Sequence, residues 1–333
     1  MPTRDDVARA ANISGATVSR VLSGRTDLAI SPEMRTRVLE AAAKLGYRPN
    51  ASARALTNGR TGLIGFWMCL QYSRYRCHVL DRMRTLLGPS ELALAVTDVD
   101  EEYQWDHNFA RALRVPVDGI IAFDNSASIE AFGREHDQIA PRIPFVSMGA
   151  YWSEAKSYVG IDLRTGAEAA MDHLLATGRR RIAYMAPFNS NLLTSGPRFE
   201  AYTDRMTGAG FAPQIVSVQN TSLAAVREQL TDTFANSPVP DAILCMNDDL
   251  AIAASFALQG LGRKPGEDVA LVGFDGIEET EHCSVPITTV RQPIEAMCRL
   301  TLQILEDQMQ DPEAPLQQKV LVPELVIRES SRS

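Results

Sequence analysis

Cysteine is scarce in this 333-residue chain: there are five, at 69, 77, 245, 283 and 298, odd in number and without a CxxC pair. That excludes a disulfide framework and a thiolate zinc site, and fits free thiols in a reducing compartment. No apolar run approaches the ~18 residues a membrane span needs, and no basic-then-apolar leader opens the chain. A cytoplasmic protein without a membrane partner is expected. Nucleotide and hydrolase signatures are missing too. No GxGxxG opens the first strand–helix unit, and there is neither a P-loop lysine motif nor a Gly-x-Ser-x-Gly elbow. The five histidines, at 78, 107, 136, 173 and 282, show no ligand spacing. The expectation is no catalytic residue, no metal and no cofactor, hence no enzyme.

Charge is present but unevenly divided. Residues 1–60 hold ten Lys/Arg against five Asp/Glu, while the whole chain is at −8, so the remainder carries −13. A basic end on an acidic body suits phosphate binding through counterion release. The plainer reading of that end is a helical cap with a solvated basic face.

The pattern within this end is that of a helix-turn-helix. Thr3 is placed to cap a first helix with Asp5 and Asp6 in its first turn, and Val7, Ala10 and Ala11 fall on one apolar face. Asn12-Ile13-Ser14 makes a tight turn, and Ser14 caps a second helix whose buried side is Val18, Val21 and Leu22. The opposite side offers Gly15, Ala16, Thr17, Ser19 and Arg20, small or polar groups suited to lying on DNA. A third helix, about 32–45, opens on a Ser31 cap with Pro32 in its first turn and stops at Gly46; Val38, Leu39, Ala42 and Leu45 form its expected buried face. Pro49 then ends this structure, and Asn50 opens a segment too short to persist as a helix alone in water.

From Thr61 short apolar runs alternate with amphipathic helices. Strands are expected at 63–69, 92–97, 119–123, 144–147, 158–161, 181–185, 242–245 and 269–274. Helices are expected at 76–87, 104–114, 165–176, 197–209, 223–236, 249–260 and 294–309. Such alternation implies parallel sheets, and the length suits two lobes. Ligands of open α/β sheets sit at the carboxyl ends of strands, so Asn247, Asp275, Asp162, Asp124 and Asn125 are the candidate ligand residues, joined by Arg198 on the strength of the resemblance described below. An arginine fork, an amide and a carboxylate together suit vicinal hydroxyls. For Asn247 and Asp275 the competing role is helix capping, and Asp162 is as consistent with holding a crossing between lobes. In the segment 70–78, Tyr72 and Tyr75 are positioned either to stack on a ligand ring or to sit on an irregular loop, and Arg74 or Arg76 to meet an anionic group.

The runs Asp6-Val-Ala-Arg-Ala-Ala, Ala16-Thr-Val-Ser-Arg-Val-Leu, Ser31-Pro-Glu, Leu45-Gly-Tyr-Arg-Pro-Asn-Ala and Ala53-Arg-Ala-Leu56 together resemble the lactose-repressor (LacI/GalR) family of bacterial transcription regulators. The resemblance extends over essentially the whole chain. It implies an α/β fold: an N-terminal helix-turn-helix head (1–49), a hinge helix and linker (50–60), and a two-lobed periplasmic-binding-protein-like body with parallel sheets (61–330). Its N-lobe would span about 61–162 and 291–319, and its C-lobe about 163–290 and 320–330. The resemblance further implies that the second helix enters the major groove with base identity set at Gly15, Ala16 and Arg20. Arg20 would chelate a guanine, and Ser14, Thr17, Ser19 and Ser31 would meet the backbone. Asn50, Ala53 and Leu56 would lie in the minor groove, Leu56 as a wedge; the alternative is packing in a linker. Arg198, Asn247 and Asp275 match effector positions. The implied partners are double-stranded operator DNA of near-palindromic sequence, a second copy of the chain, and a small-molecule effector, a sugar or sugar acid before a nucleobase. Three departures stand out: the 23–30 loop is about two residues longer than usual, its Arg25 a phosphate contact or the insertion a solvated bulge; Ala201 stands where glycine is usual; and, the largest, Leu70-Gln-Tyr-Ser-Arg-Tyr-Arg-Cys-His replaces the Asn-Pro-Phe-Phe-like stretch common in relatives. No leucine-heptad tail follows Val326, so a coiled-coil tetramer is not expected. The rival readings are a solute-binding module and a constitutive DNA binder without effector.

Overall fold

The computed structural model describes residues 2–22, 30–47, 60–69, 73–88, 90, 92–99, 114–124, 143–187, 196–220, 222–236 and 239–332. The chain divides into two units, residues 1–62 and 63–333.

The first unit holds three helices, α1 (Arg4–Ala11), α2 (Gly15–Leu22) and α3 (Pro32–Leu45). Each boundary is written in local chemistry. Thr3 Oγ1 accepts the Asp6 amide at 3.3 Å while Asp6 Oδ2 accepts the Thr3 amide at 2.8 Å, a reciprocal cap that starts α1. Asn12 ends it in the left-handed region at φ 52°. Ser31 accepts the Met34 amide at 3.2 Å to start α3, and Gly46 stops it at φ 63°. The core is Val7, Ala8, Ala11, Val18, Val21, Val38 and Ala42. Three assignments of the sequence pattern are corrected: Ala10 is exposed, and Leu39 and Leu45 are 50% and 38% exposed. Two short partner helices cover only the Val38/Ala42 stripe of α3, so its flanking leucines remain in water.

The second unit is built on two six-stranded sheets. The first contains β1 (Leu63–Met68), β2 (Ala93–Asp98), β3 (Gly119–Phe123), β4 (Phe145–Gly149), β5 (Ser157–Ile161) and a late strand numbered β11 (Gln318–Leu321), in the order β11-β5-β4-β3-β1-β2. The second contains β6 (Ile182–Pro187), β7 (Gln214–Val218), β8 (Ala242–Cys245), β9 (Ala270–Asp275), β10 (Thr288–Arg291) and β12 (Glu324–Val326), in the order β12-β10-β9-β8-β6-β7. All neighbours are parallel except β12, which runs antiparallel to β10. The inner strands are buried along their length, which is why they read as continuous apolar runs. The described helices are α4 (Arg74–Leu87), α5 (Leu163–Ala176), α6 (Pro197–Gly208), α7 (Leu223–Asn236), α8 (Asp248–Gly260) and α9 (Ile294–Gln310). The expected helix at 104–114 lies almost wholly outside the described residues.

The chain crosses between the sheets at Asp162, at Gln292–Pro293 and at Val322–Pro323. After β12 its end is stapled to the second sheet: Ser330 Oγ donates to Leu271 O at 2.6 Å, and His173 Nε2 lies 2.8 Å from Ser331 Oγ. Among the described residues no helix is long and apolar enough to cross a membrane. In the same set no group of three or more His, Cys, Asp or Glu residues is arranged to hold a metal ion.

Candidate DNA-reading helix and effector cleft

In the first unit, α2 carries its polar face outward, with Ala16, Ser19 and Arg20 exposed and Gly15 and Thr17 half-buried. Gly15 has a packing reason as well: a Cβ there would stand 3.1 Å from Arg4 Nε and 3.2 Å from Asp5 Oδ1. Three of the expected DNA-facing hydroxyls have local partners. Ser14 Oγ accepts the Thr17 amide at 3.2 Å and lies 2.9 Å from Thr17 Oγ1, and Ser31 caps α3. Asn50, Ala53, Leu56 and Arg25 lie outside the described residues.

In the second unit, three of the candidate ligand residues meet where β8 and β9 end. Arg198, in the first turn of α6, donates through Nη1 to Met246 O at 2.9 Å, and its Cζ sits 5.1 Å from the centre of the Phe274 ring. A hydrogen bond on one side and a cation–π contact on the other aim the guanidinium into the cleft. Asn247 follows Met246 directly; its Oδ1 accepts the Leu250 amide at 2.9 Å, so it caps α8. Asp275 follows Phe274, is 5% exposed and holds φ 125°, a conformation a non-glycine residue rarely adopts.

A hydrogen-bonded chain joins Asp275 to the other sheet's helix. Tyr75 Oη, on α4, donates to Gln292 Oε1 at 2.9 Å, and Gln292 Nε2 donates to Asp275 Oδ1 at 2.8 Å. Tyr75 is thus neither a ligand-stacking ring on a loop nor a surface residue: it is buried in a helix, its ring centre 5.9 Å from that of Phe123. Tyr72 and Asn125 lie outside the described residues.

The electrostatics here are those of buried carboxylates. Burial, and then the neighbouring Asp248, push Asp275 well above the usual carboxylate range, opposed by Arg198 and the Gln292 hydrogen bond. Burial also pushes Asp248 up to about 6, against three donors that favour its charged form. Those donors are Thr289 Oγ1 at 2.7 Å and the amides of Gly276 and Ile277 at 2.7 and 2.9 Å. Asp248 therefore clamps the turn that follows Asp275. Gly273 makes room for it, since a Cβ there would fall 2.0 Å from Asp248 Oδ1. Burial, then Asp124 and Asp275, hold the Tyr75 phenol well above its ordinary value.

Other candidates have structural partners. Asp124 Oδ1 accepts the Ala150 amide at 2.5 Å, tying the end of β3 to the turn after β4. Asp162 caps α5 through the Thr165 amide at 3.0 Å and the Thr165 hydroxyl at 2.7 Å. Arg74 meets an anion, but a protein one: its guanidinium pairs with the nearly buried Asp249 on α8, whose Oδ2 also accepts the Arg74 amide at 3.2 Å. The wall beside Arg198 is formed by Tyr151, Leu163, Tyr184, Pro197 and Phe199. Sequence reasoning missed Tyr184 and Gln292. A tyrosine inside an apolar strand reads as core, and a glutamine after a strand that itself went unrecognised has no pattern to mark it.

Known proteins supply the remaining comparison. Residues 3–50 match the model for bacterial regulatory proteins of the lacI family, and residues 171–331 that for a periplasmic binding protein-like domain. The HTH-type transcriptional regulator CelR of Thermobifida fusca is 28% identical over 344 residues, covering 99% of this chain and 98% of that protein. A solved CelR–cellobiose complex aligns with TM-score 0.67 at 25% identity, covering 99% of this chain and 100% of the other. The lac repressor dimer bound to operator and the anti-inducer ONPF has the same fold, with TM-score 0.81 at 22% identity over 100% of this chain and 99% of that one. These relatives are transcriptional regulators, not enzymes. The chain thus carries a LacI-type helix-turn-helix ahead of a two-lobed periplasmic-binding-like body, the arrangement of the LacI-family regulators to which it is similar along nearly its whole length.

Proposed function

We propose that this regulator is a repressor that binds a near-palindromic operator as a homodimer and holds a sugar or sugar acid between its two sheets. The observation that carries the effector reading is the convergence of Arg198, Asn247 and Asp275 at the ends of β8 and β9. The arginine is anchored on Met246 O and Phe274, the residues just before the other two. A fork of donors, an amide and a carboxylate bond vicinal hydroxyls from both sides, while Tyr151 and Phe199 offer apolar surface to a ring face. A cellobiose complex of a 25%-identical regulator supports the class of ligand. On the DNA side, α2 would read bases through Ala16 and Arg20, with Gly15 contributing shape alone. Ser14, Thr17, Ser19 and Ser31 would lie along the phosphates. Asn50, Ala53 and Leu56 would form the minor-groove hinge. Two-fold symmetry of the protein then demands two-fold symmetry in the site. Coupling between the sites is reciprocal: the factor by which effector changes operator affinity is the factor by which operator changes effector affinity.

The test is to select an operator from random duplexes with the full chain, then measure its affinity by fluorescence anisotropy. D-ribose, cellobiose, D-gluconate and adenine would be added in turn. At least one of the three sugar compounds is expected to shift affinity about fivefold or more, the scale of ordinary allosteric coupling. An affinity unchanged by every sugar would count against the reading, and a response to adenine alone would move it to nucleobases.

A further inference from the structure

β6 is an apolar strand with one polar side chain, Tyr184, which is 1% exposed. Its ring is stacked on Tyr202, centres 5.4 Å apart, and set edge-on to Phe199 at 5.7 Å. The hydroxyl is the anomaly. Tyr184 Oη is buried and has no hydrogen-bond partner among the described residues. Its buried neighbours are treated otherwise: Tyr202 Oη donates to Ile182 O at 2.8 Å and accepts the Gln214 amide at 2.7 Å, and Tyr75 Oη donates to Gln292. A buried hydroxyl without a partner costs free energy that phenylalanine would not. The side chain forms part of the same cleft wall as Arg198, Tyr151, Leu163 and Phe199. Burial pushes the phenol up to about 12, so near neutral pH it remains a hydroxyl, able both to donate and to accept.

We propose that Tyr184 is a specificity-determining residue of the effector cleft, its hydroxyl bonding an oxygen of the effector, a hydroxyl or ring ether, that lies against β6 beside Arg198. The inference rests on the reading that this cleft holds a small hydroxylated molecule, and it goes further by assigning a polar demand to the β6 wall. Arg198 supplies only donors and an ionised Asp275 only acceptors. A tyrosine hydroxyl does either, so it selects effectors carrying an oxygen at this position and disfavours those with a bare carbon there. Discrimination of that kind arises because a buried polar group is left unmatched by the wrong ligand.

Tyr184→Phe keeps the ring that packs on Tyr202 and Phe199 and removes only the hydroxyl. Calorimetric titration of the full chain with D-ribose, cellobiose and D-gluconate, wild type beside variant, reads the effect. Any compound bound by the wild type is expected to bind the variant roughly three- to tenfold more weakly, the scale of one neutral hydrogen bond. Undiminished affinity would overturn the proposal. Ligand-free melting supplies a second reading: the variant should melt at the same temperature or higher, because an unmatched hydroxyl has been removed. A fall of more than about 2 °C would show the hydroxyl already satisfied within the protein, which overturns the proposal whatever the sugars do. Failure of all three compounds to bind the wild type would instead strike the sugar reading, with the melt still deciding on Tyr184.

Discussion

Replacing Arg74 by alanine removes the cation that α4 extends to Asp249 at the start of α8, a contact between helices of opposite sheets. The Asp249 side chain is 5% exposed and that of Arg74 37%. Breaking one side of a fully buried pair costs about 3–5 kcal/mol, whereas an exposed pair is worth about 0–1 kcal/mol. With one partner buried and the other a third in water, about 2 kcal/mol is expected, near thirtyfold in the folding equilibrium. Some compensation stays in place: the residue-74 amide still faces Asp249 Oδ2 at 3.2 Å, and the N-terminus of α8 favours an anion. The clean assay is a double-mutant cycle of Arg74→Ala and Asp249→Asn by urea denaturation. All three tryptophans, at 67, 105 and 152, follow residue 62, so their fluorescence reports on the body and not on the head. The coupling should be at least about 1 kcal/mol and shrink with added salt. A value below about 0.3 kcal/mol, within the scatter expected of independent sites, would refute the claim that this pair ties the lobes together.

Three further perturbations separate the remaining assignments. Asp248 is raised in the folded state to about 6 from an ordinary 3.8, so the native protein holds its proton where the unfolded chain has lost it, and that contribution disappears as pH rises through about 6. Asp248→Asn cannot ionise; its melting temperature relative to wild type should improve as pH climbs from about 4 to 7, and a pH-independent difference would contradict the assignment. Arg20→Ala should cost about 1–3 kcal/mol on the selected operator and relax preference at one base pair; an equal loss on every sequence in a binding selection would make Arg20 a phosphate contact. Leu56→Ala, outside the described residues, should weaken operator binding far more than binding to random duplex, and equal losses in parallel titrations would remove the wedge.

What the chain disclosed before its structure follows physical lines. Caps are local, so Thr3, Ser31 and Gly46 marked helix boundaries correctly. Inner strands are covered on both faces, so 119–123 and 242–245 match β3 and β8 residue for residue. The unanticipated strands are β7, β10, β11 and β12. Three of these are sheet edges, where one flank meets water and polar residues break the apolar run. β10 was hidden for another reason: Thr288 and Thr289 are buried, yet their hydroxyls are matched by Ser331 and Asp248, partners 43 and 41 residues away. The site shows the same division. Asn247 and Asp275 were visible because each stands at a strand end, whereas Arg198, in the first turn of a helix, was marked by the family resemblance alone. Asp248 as a clamp, Gln292 as a bridge and Tyr184 as an unmatched hydroxyl depend on distant partners, or on the lack of one, which no local pattern records.

Residues 318–326 supply the outermost strand beside β5 and, after one crossing, the outermost strand beside β10. Both halves of the body thus wait on the same short stretch, made by the ribosome after nearly everything it must cover. Until it emerges, β5 and β10 each present an unzipped flank of the sort that recruits stray strands. Neither half is a module that could be cut out, swapped or completed early; translation delivers them together, sealed by one late stitch.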